Sequence, residues 1–121
     1  MPAEDELRKF WEYWGFKWQH AYHDFWELVS PDGIQFDLTI YKGRPNKYPP
    51  LDMNSIEKWV LSKLIEKEWY PTLCYDEFER IWRFEIHDND GEWKDAGNNE
   101  VELAIYEATR PLWDKEQSTL D

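Results

Sequence analysis

Residues 70–113 read YPTLCYDEFERIWRFEIHDNDGEWKDAGNNEVELAIYEATRPLW, and this stretch decides the fold. Its central part alternates strictly, with Trp82 and Phe84 on one face of a strand and Arg83 and Glu85 on the other. An acidic turn precedes this part, and an Asp-Asn-Asp-Gly sequence with the composition of a type I-like turn follows it. The stretch therefore predicts a meander of three strands, at Tyr70–Tyr75, Ile81–His87 and Glu92–Ala96.

The meander is followed by a segment with helical periodicity. Its apolar residues recur at i, i+3, i+4, i+7 and i+11, at positions Val101, Ala104, Ile105, Ala108 and Leu112. Asn99 and Glu102 have the spacing of a capping box, which favours a helix start here. Pro111 predicts that the helix ends or kinks near Thr109.

The chain upstream of this stretch shows the same two periodicities. Leu7, Phe10, Trp11 and Trp14 predict a helix over Ala3–Trp14, which Gly15 terminates. Alternation predicts a strand over the Phe16–Tyr22 region, a second at Phe25–Val29 and a third from Ile34 to Ile40 with one buried face. Asn54 and Glu57 predict the start of a further helix that runs to about Glu68 and buries Ile56, Trp59, Val60 and Leu64, with Leu61 and Ile65 widening that face.

These elements predict an α+β protein. We expect an antiparallel sheet of about five strands in two hairpin or meander units, covered by about three helices as an α-β-α layered sandwich. The length of 121 residues predicts one domain over residues 1–121, with a frayed tail after about residue 115.

The charge and cysteine content limit the class of protein. The chain has 26 acidic and 14 basic residues, a formal net charge of -12, which opposes direct nucleic-acid binding. Such a charge can steer a basic protein partner, and solubility alone is the other explanation for it. The single cysteine, Cys74, predicts a reducing compartment and is expected to be a buried structural residue. The amino-terminal residues show no apolar stretch, and no run approaches the ~20 apolar residues of a membrane span, so we expect a cytoplasmic protein without membrane contact.

The sequence contains no catalytic signature. His20 and His23 are three residues apart, so on a strand they point to opposite faces and cannot both bind one metal ion. The Asp-Asn-Asp-Gly turn lacks the acidic positions of a calcium loop. Paired acids among Glu77, Glu79, Glu85 and Asp95 can support hydrolysis, but their separation does not follow from the sequence. We therefore expect neither an enzyme nor a metal or cofactor.

One loop differs from the rest of the chain because it is basic. Residues 41–51 contain three cations and no acid, and they include Pro and Gly residues that prevent regular structure. Such a loop can dock a phosphate or carboxylate, and nearby Trp and Tyr rings can stack on a ligand. The candidate binding residues are Lys42, Arg44, Lys47, Trp18, Tyr22, Tyr41 and Tyr48.

The meander and its helix also carry a family resemblance. Leu73-Cys74-Tyr75, the aromatic strand Ile81-Trp82-Arg83-Phe84, Trp93 and Ala104-Ile105-x-x-Ala108 resemble the bacteriophage domain called the phage ABA sandwich. The resemblance covers residues 54–113 and implies an α/β layered fold of phage or prophage origin. It implies no reaction and no catalytic residues.

Two hypotheses about function follow. The first is a non-enzymatic, acidic phage- or prophage-type accessory protein that binds a protein partner, for example as an inhibitor of a host defence or nucleic-acid-binding protein. The second is a small-ligand domain that binds or sequesters a nucleotide-like molecule at the basic loop. A homodimer formed through exposed aromatic residues is also compatible with the composition of nine Trp, seven Tyr and six Phe.

Overall fold

The computed structural model describes residues 2–40, 48–49 and 51–114. The chain forms two compact units, Met1–Pro50 and Leu51–Asp121. The single domain remains a prediction, and the tail expected after residue 115 lies outside the described residues.

The first unit contains one helix and one antiparallel sheet. The sheet has the order β1-β2-β3, so that β1 and β3 are its edges. The predicted helix and strands are confirmed, with the bounds α1 Glu4–Tyr13, β1 Lys17–Tyr22, β2 Phe25–Val29 and β3 Gln35–Ile40.

Aromatic rings form the core of this unit. Phe10, Trp11 and Trp14 of the α1 region are buried, as the helical periodicity predicts. The Trp11 ring contacts Phe16 at a centroid distance of 5.2 Å, and Phe16 contacts Phe36 of β3 at 5.3 Å. The indole N–H of Trp11 also donates to a backbone carbonyl, that of Pro49, at 2.8 Å. The chain of contacts connects α1 with the sheet.

The predicted burial of β3 is wrong, and its strict alternation is interrupted, because the pairing with β2 shifts register and skips Phe36. Ile34, Phe36, Leu38 and Ile40 are between 41% and 64% exposed. An edge position alone does not explain this exposure, because Trp18 on the other edge strand, β1, is buried; the difference is whether a side chain or helix packs against the residue. Alternation of residue types predicts which side chains share a strand face, but it contains no information on what covers that face.

The second unit contains two helices and a second antiparallel sheet, in the order β4-β5-β6. The protein thus has six strands in two three-stranded sheets among its described residues, and not about five strands in one sheet; the α+β class itself is confirmed. Helix α2 consists of Met53–Ser55, a π-helical stretch Ile56–Leu61 and Ser62–Glu66, and is followed by β4 Tyr70–Asp76, β5 Ile81–His87, β6 Trp93–Asn98 and α3 Val101–Trp113.

Helix α2 begins and packs differently from the prediction. Its N-cap is Asp52, whose carboxylate accepts from the Ser55 N–H at 2.8 Å, and not Asn54. Ile56, Trp59, Val60 and Leu64 are buried as predicted, whereas Ile65 is exposed. The π-helical stretch widens the turn and rotates the residues after it relative to an ideal α-helix, so that a face extrapolated at 3.6 residues per turn no longer matches.

Helix α3 starts and ends differently from the prediction. Glu100 is its N-cap residue, so the predicted capping box at Asn99 is not formed. Pro111 lies inside the helix, which continues to Trp113. The buried Trp113 holds this last turn, because its indole N–H donates to the Thr109 hydroxyl at 3.2 Å. Pro111 has no N–H to donate to the Glu107 carbonyl, so the helix continues past it with that one backbone hydrogen bond missing.

The two faces of the second sheet differ in burial. Phe84 and Ile86 of β5 are buried, and α3 packs on β5 and β6. The side chains between them in sequence point to the other face, because successive strand residues alternate. No helix of the described residues is long and apolar enough to cross a membrane.

Candidate aromatic-acidic binding face

The open side of the β4-β5-β6 sheet presents aromatic and charged side chains on three strands. The pairing register fixes which residues are neighbours: Tyr70, His87 and Trp93 form one row, Thr72, Glu85 and Asp95 the next, and Cys74, Arg83 and Gly97 the third. Rows on one strand face are about 6.6 Å apart, which is two residue rises. We call this surface the aromatic-acidic face and define it by Tyr70, Thr72, Cys74, Arg83, Glu85, His87, Trp93 and Asp95.

The first row is a line of three rings across the whole sheet. The His87 ring lies between Tyr70, at a centroid distance of 5.6 Å, and Trp93, at 5.8 Å. The planes of His87 and Trp93 differ by 20°, so these two rings are stacked. Trp93 is 56% exposed on the edge strand β6, and so part of its indole remains open to a ligand.

The second row contains two carboxylates in opposite positions. Glu85 of β5 and Asp95 of β6 are a directly paired cross-strand couple. Within the described part of the chain, neither carboxylate takes part in an ion pair. Side chains in such positions have Cβ atoms about 5 Å apart, and like charges there destabilise the sheet.

The third row is electrically compensated. Arg83 donates to Asp76 at 3.3 Å and to Glu79 at 2.7 Å. The backbone N–H of Glu79 and the Arg83 side chain hold the pKa of the Asp76 carboxyl below its ordinary value, and burial opposes them. The hydrogen bond to Asp76 likewise raises the pKa of Arg83. Among the described residues of this face, the negative charge that remains for a partner is therefore that of Glu85 and Asp95.

Cys74 is exposed on the aromatic-acidic face, which corrects the prediction of a buried structural thiol. Its strand is apolar in composition, but β4 is an edge strand and Cys74 lies on the open side, opposite Arg83. As the single cysteine of the chain, it gives a unique point for chemical labelling of the face.

The structure describes three of the seven binding residues that the sequence predicts, and the predicted site stays a prediction. Trp18 is buried opposite Leu28, while Tyr22 is 54% exposed and contacts the Phe25 ring at 4.9 Å. The Tyr48 hydroxyl donates to the Glu12 carboxylate at 2.7 Å. The other predicted members, Lys42, Arg44, Lys47 and Tyr41, lie outside the described residues, so the nucleotide-like ligand stays a prediction.

The histidines and acids considered for metal binding do not assemble into a site. His20 uses its Nε2 atom in a close contact with the carbonyl oxygen of His23 and places its ring 5.3 Å from Trp26. Among the residues that the structure describes, no group of three or more His, Cys, Asp or Glu side chains is arranged to hold a metal ion.

Sequence reasoning named several members of the aromatic-acidic face but did not connect them. The spacing of these residues contained a signal. Each acid is two residues from a ring on a predicted strand, Glu85 from His87 and Asp95 from Trp93, so each acid shares a strand face with its ring. The cross-strand register was needed to place the two pairs side by side.

Comparison with protein families, with curated proteins and with solved structures finds no match to this chain.

Proposed function

We propose that this protein acts by binding, and that the aromatic-acidic face engages a basic protein partner. The observation that carries the proposal is the pair of carboxylates, Glu85 and Asp95, which form no ion pair with any described residue and lie beside the exposed ring of Trp93. Interfaces are enriched in aromatic anchors, and carboxylates among them select a cationic partner.

The charge of the whole chain supports the same class of partner. A net charge of -12 attracts a basic protein over distances of about a Debye length and raises the rate of encounter. Steering brings a partner to the surface, and the rings and carboxylates of the face then provide local contacts. The overall charge thus contributes to the rate of association, and the face contributes to the affinity.

The cost of the carboxylate pair is a further argument. Directly opposed like charges in a sheet destabilise it by roughly 0.2–1 kcal/mol. A basic side chain that binds between Glu85 and Asp95 removes this repulsion. A surface that is unfavourable alone and relieved by a ligand is typical of a binding site, where stability is exchanged for function.

Nuclear magnetic resonance can test the proposal with a defined probe. We expect a synthetic peptide of alternating Arg and Ser residues, titrated at low salt into ¹⁵N-labelled protein, to shift the resonances of the aromatic-acidic face. The double variant Glu85→Gln, Asp95→Asn should weaken binding about tenfold, because it removes two ion pairs of roughly 0.7 kcal/mol each. Added salt should weaken the wild-type complex.

The matched control is Glu57→Gln, Glu102→Gln, which changes the net charge equally on helices α2 and α3. It should bind the peptide within about twofold of the wild type, since general charge acts only through screened steering. If both double variants lose affinity equally, or if the resonance shifts lie away from the face, the proposed site is wrong.

Bulky maleimide modification of Cys74 should also block binding of the peptide.

The cellular role of the protein is proposed from its sequence alone. A cytoplasmic, phage- or prophage-type accessory protein that inhibits a basic host protein is compatible with the net charge and with the resemblance over residues 54–113. Nucleic-acid-binding proteins are one source of basic surfaces. The proposal requires no catalytic step.

A further inference from the structure

We infer that the aromatic-acidic face selects arginine over lysine in its partner, an inference that rests on the proposed function and specifies its ligand. The face offers rings and carboxylates together, and these are the two kinds of group that a guanidinium contacts simultaneously. Arg is planar, stacks on aromatic rings and donates in its own plane to carboxylates. The Lys ammonium is a compact charge without a plane, so it gains less from such a combination.

The protein itself contains an occupied example of this arrangement in helix α3. The guanidinium carbon of Arg110 lies 5.2 Å from the centroid of Tyr106 and 5.1 Å from that of Trp113. The same guanidinium donates to Glu107 at 3.1 Å and to Asp114 at 3.3 Å. One arginine is thus held by two rings and two carboxylates.

The aromatic-acidic face has the same set of groups. His87 and Trp93 supply the stacked rings, and Glu85 and Asp95 supply the carboxylates one row away. Asp95 follows Trp93 by two residues on β6, which places its Cα atom about 6.6 Å along the strand from that of Trp93, on the same face. A guanidinium lying on the open part of the Trp93 indole can therefore direct its N–H groups toward Asp95 and Glu85.

The arginine that belongs to the face itself, Arg83, forms its ion pairs elsewhere. Arg83 is engaged by Asp76 and Glu79 on the far side of the carboxylate row. The position between the rings and the carboxylates is therefore left to an arginine of the partner. The proposed ligand is an extended, arginine-containing protein segment.

The test compares two peptides of equal charge, Arg-Ser and Lys-Ser repeats, against the full chain. We expect the Arg peptide to bind about fivefold more tightly, the size of a cation–π contact at an exposed site. Trp93→Leu should reduce Arg binding to the level of Lys binding and change Lys binding little, while Trp93→Phe should retain part of the preference. Tyr75→Leu removes an exposed ring from the opposite face and should leave the preference unchanged.

The outcomes separate this inference from the proposed function. Equal affinity for the two peptides, with resonance shifts on the face, would overturn arginine selection and leave the basic partner standing. No shift on the face with either peptide at low salt would overturn both. An arginine preference that survives Trp93→Leu would contradict the stacking geometry. Circular dichroism of each variant establishes that the fold is intact.

Discussion

Two buried tryptophans of the first unit differ in a single hydrogen bond. The Trp11 indole N–H donates to the Pro49 carbonyl at 2.8 Å, whereas the Trp14 indole N–H is buried without a partner in the described structure. A buried donor that is unsatisfied carries its desolvation cost, and a buried bond that is made offsets it. The two side chains are of the same type and are both buried, so they form a natural pair for comparison.

Replacement of each by Phe should separate the hydrogen bond from the packing. Both variants lose ring volume, but Trp11→Phe also leaves the Pro49 carbonyl unpaired, while Trp14→Phe removes an unsatisfied group. We expect Trp11→Phe to lower the free energy of unfolding by about 1–3 kcal/mol more than Trp14→Phe. Urea unfolding followed by circular dichroism measures the difference, and equal losses would contradict the hydrogen-bond account.

At the scale of elements, the β4–β5 hairpin depends on one carboxylate at its turn. Asp76 accepts from the backbone N–H groups of Phe78 and Glu79 at 2.9 and 3.1 Å and forms the ion pair with Arg83. Because the folded-state pKa of Asp76 is below its ordinary value, ionised Asp76 stabilises the fold above the pKa that it has in the unfolded chain. That contribution is lost as the pH falls through the folded-state pKa.

Asp76→Asn should therefore be destabilising at neutral pH and much less so in acid. The amide oxygen of Asn can still accept the two turn hydrogen bonds, so the variant mainly removes the charge. We expect the difference in melting temperature from the wild type to be largest above pH 5 and to shrink toward pH 3.

Glu77→Gln is the control for this hairpin, because it removes a neighbouring carboxylate for which the structure gives no ion pair. Its difference from the wild type should stay small and constant over the same pH range. A gap for Asp76→Asn that widens in acid would reverse the expected sign and contradict the assignment.

The elements show how far local sequence signals reach. Alternation at Ile81–His87 and helical periodicity around Phe10 and Trp11 predicted those elements correctly, because both signals are local. The N-cap at Asp52 and the continuation of α3 through Pro111 were not predicted. Each depends on a competition between several permitted local arrangements, which distant packing such as that of Trp113 decides.

At the scale of the whole molecule, exposed apolar side chains coexist with a large negative charge. The β3 strand exposes Phe36, Leu38 and Ile40, and Phe78 at the β4–β5 turn is 99% exposed. A net charge of -12 keeps such surfaces apart by repulsion. Edge strands with apolar residues and few charges favour association once repulsion is removed.

We therefore expect the protein to associate reversibly near its isoelectric point of about 4.6. Ile40→Lys should reduce light scattering at this pH, because a lysine on an edge strand opposes strand pairing. Gln35→Lys adds the same charge to β3 at a polar position and should reduce the scattering less. Equal effects of the two variants would show that charge alone, and not the apolar strand, controls association.

The sequence by itself determined the approximate positions of the helices and strands and, for β5, the side chains that share a strand face, because both follow from periodicity along the chain. Only the tertiary structure decided that β3 and Cys74 are exposed, and that Glu85, Asp95, His87 and Trp93 form one surface. Coverage of a face depends on what packs against it, and cross-strand adjacency depends on register. Both are relations between distant residues, which local periodicity does not encode.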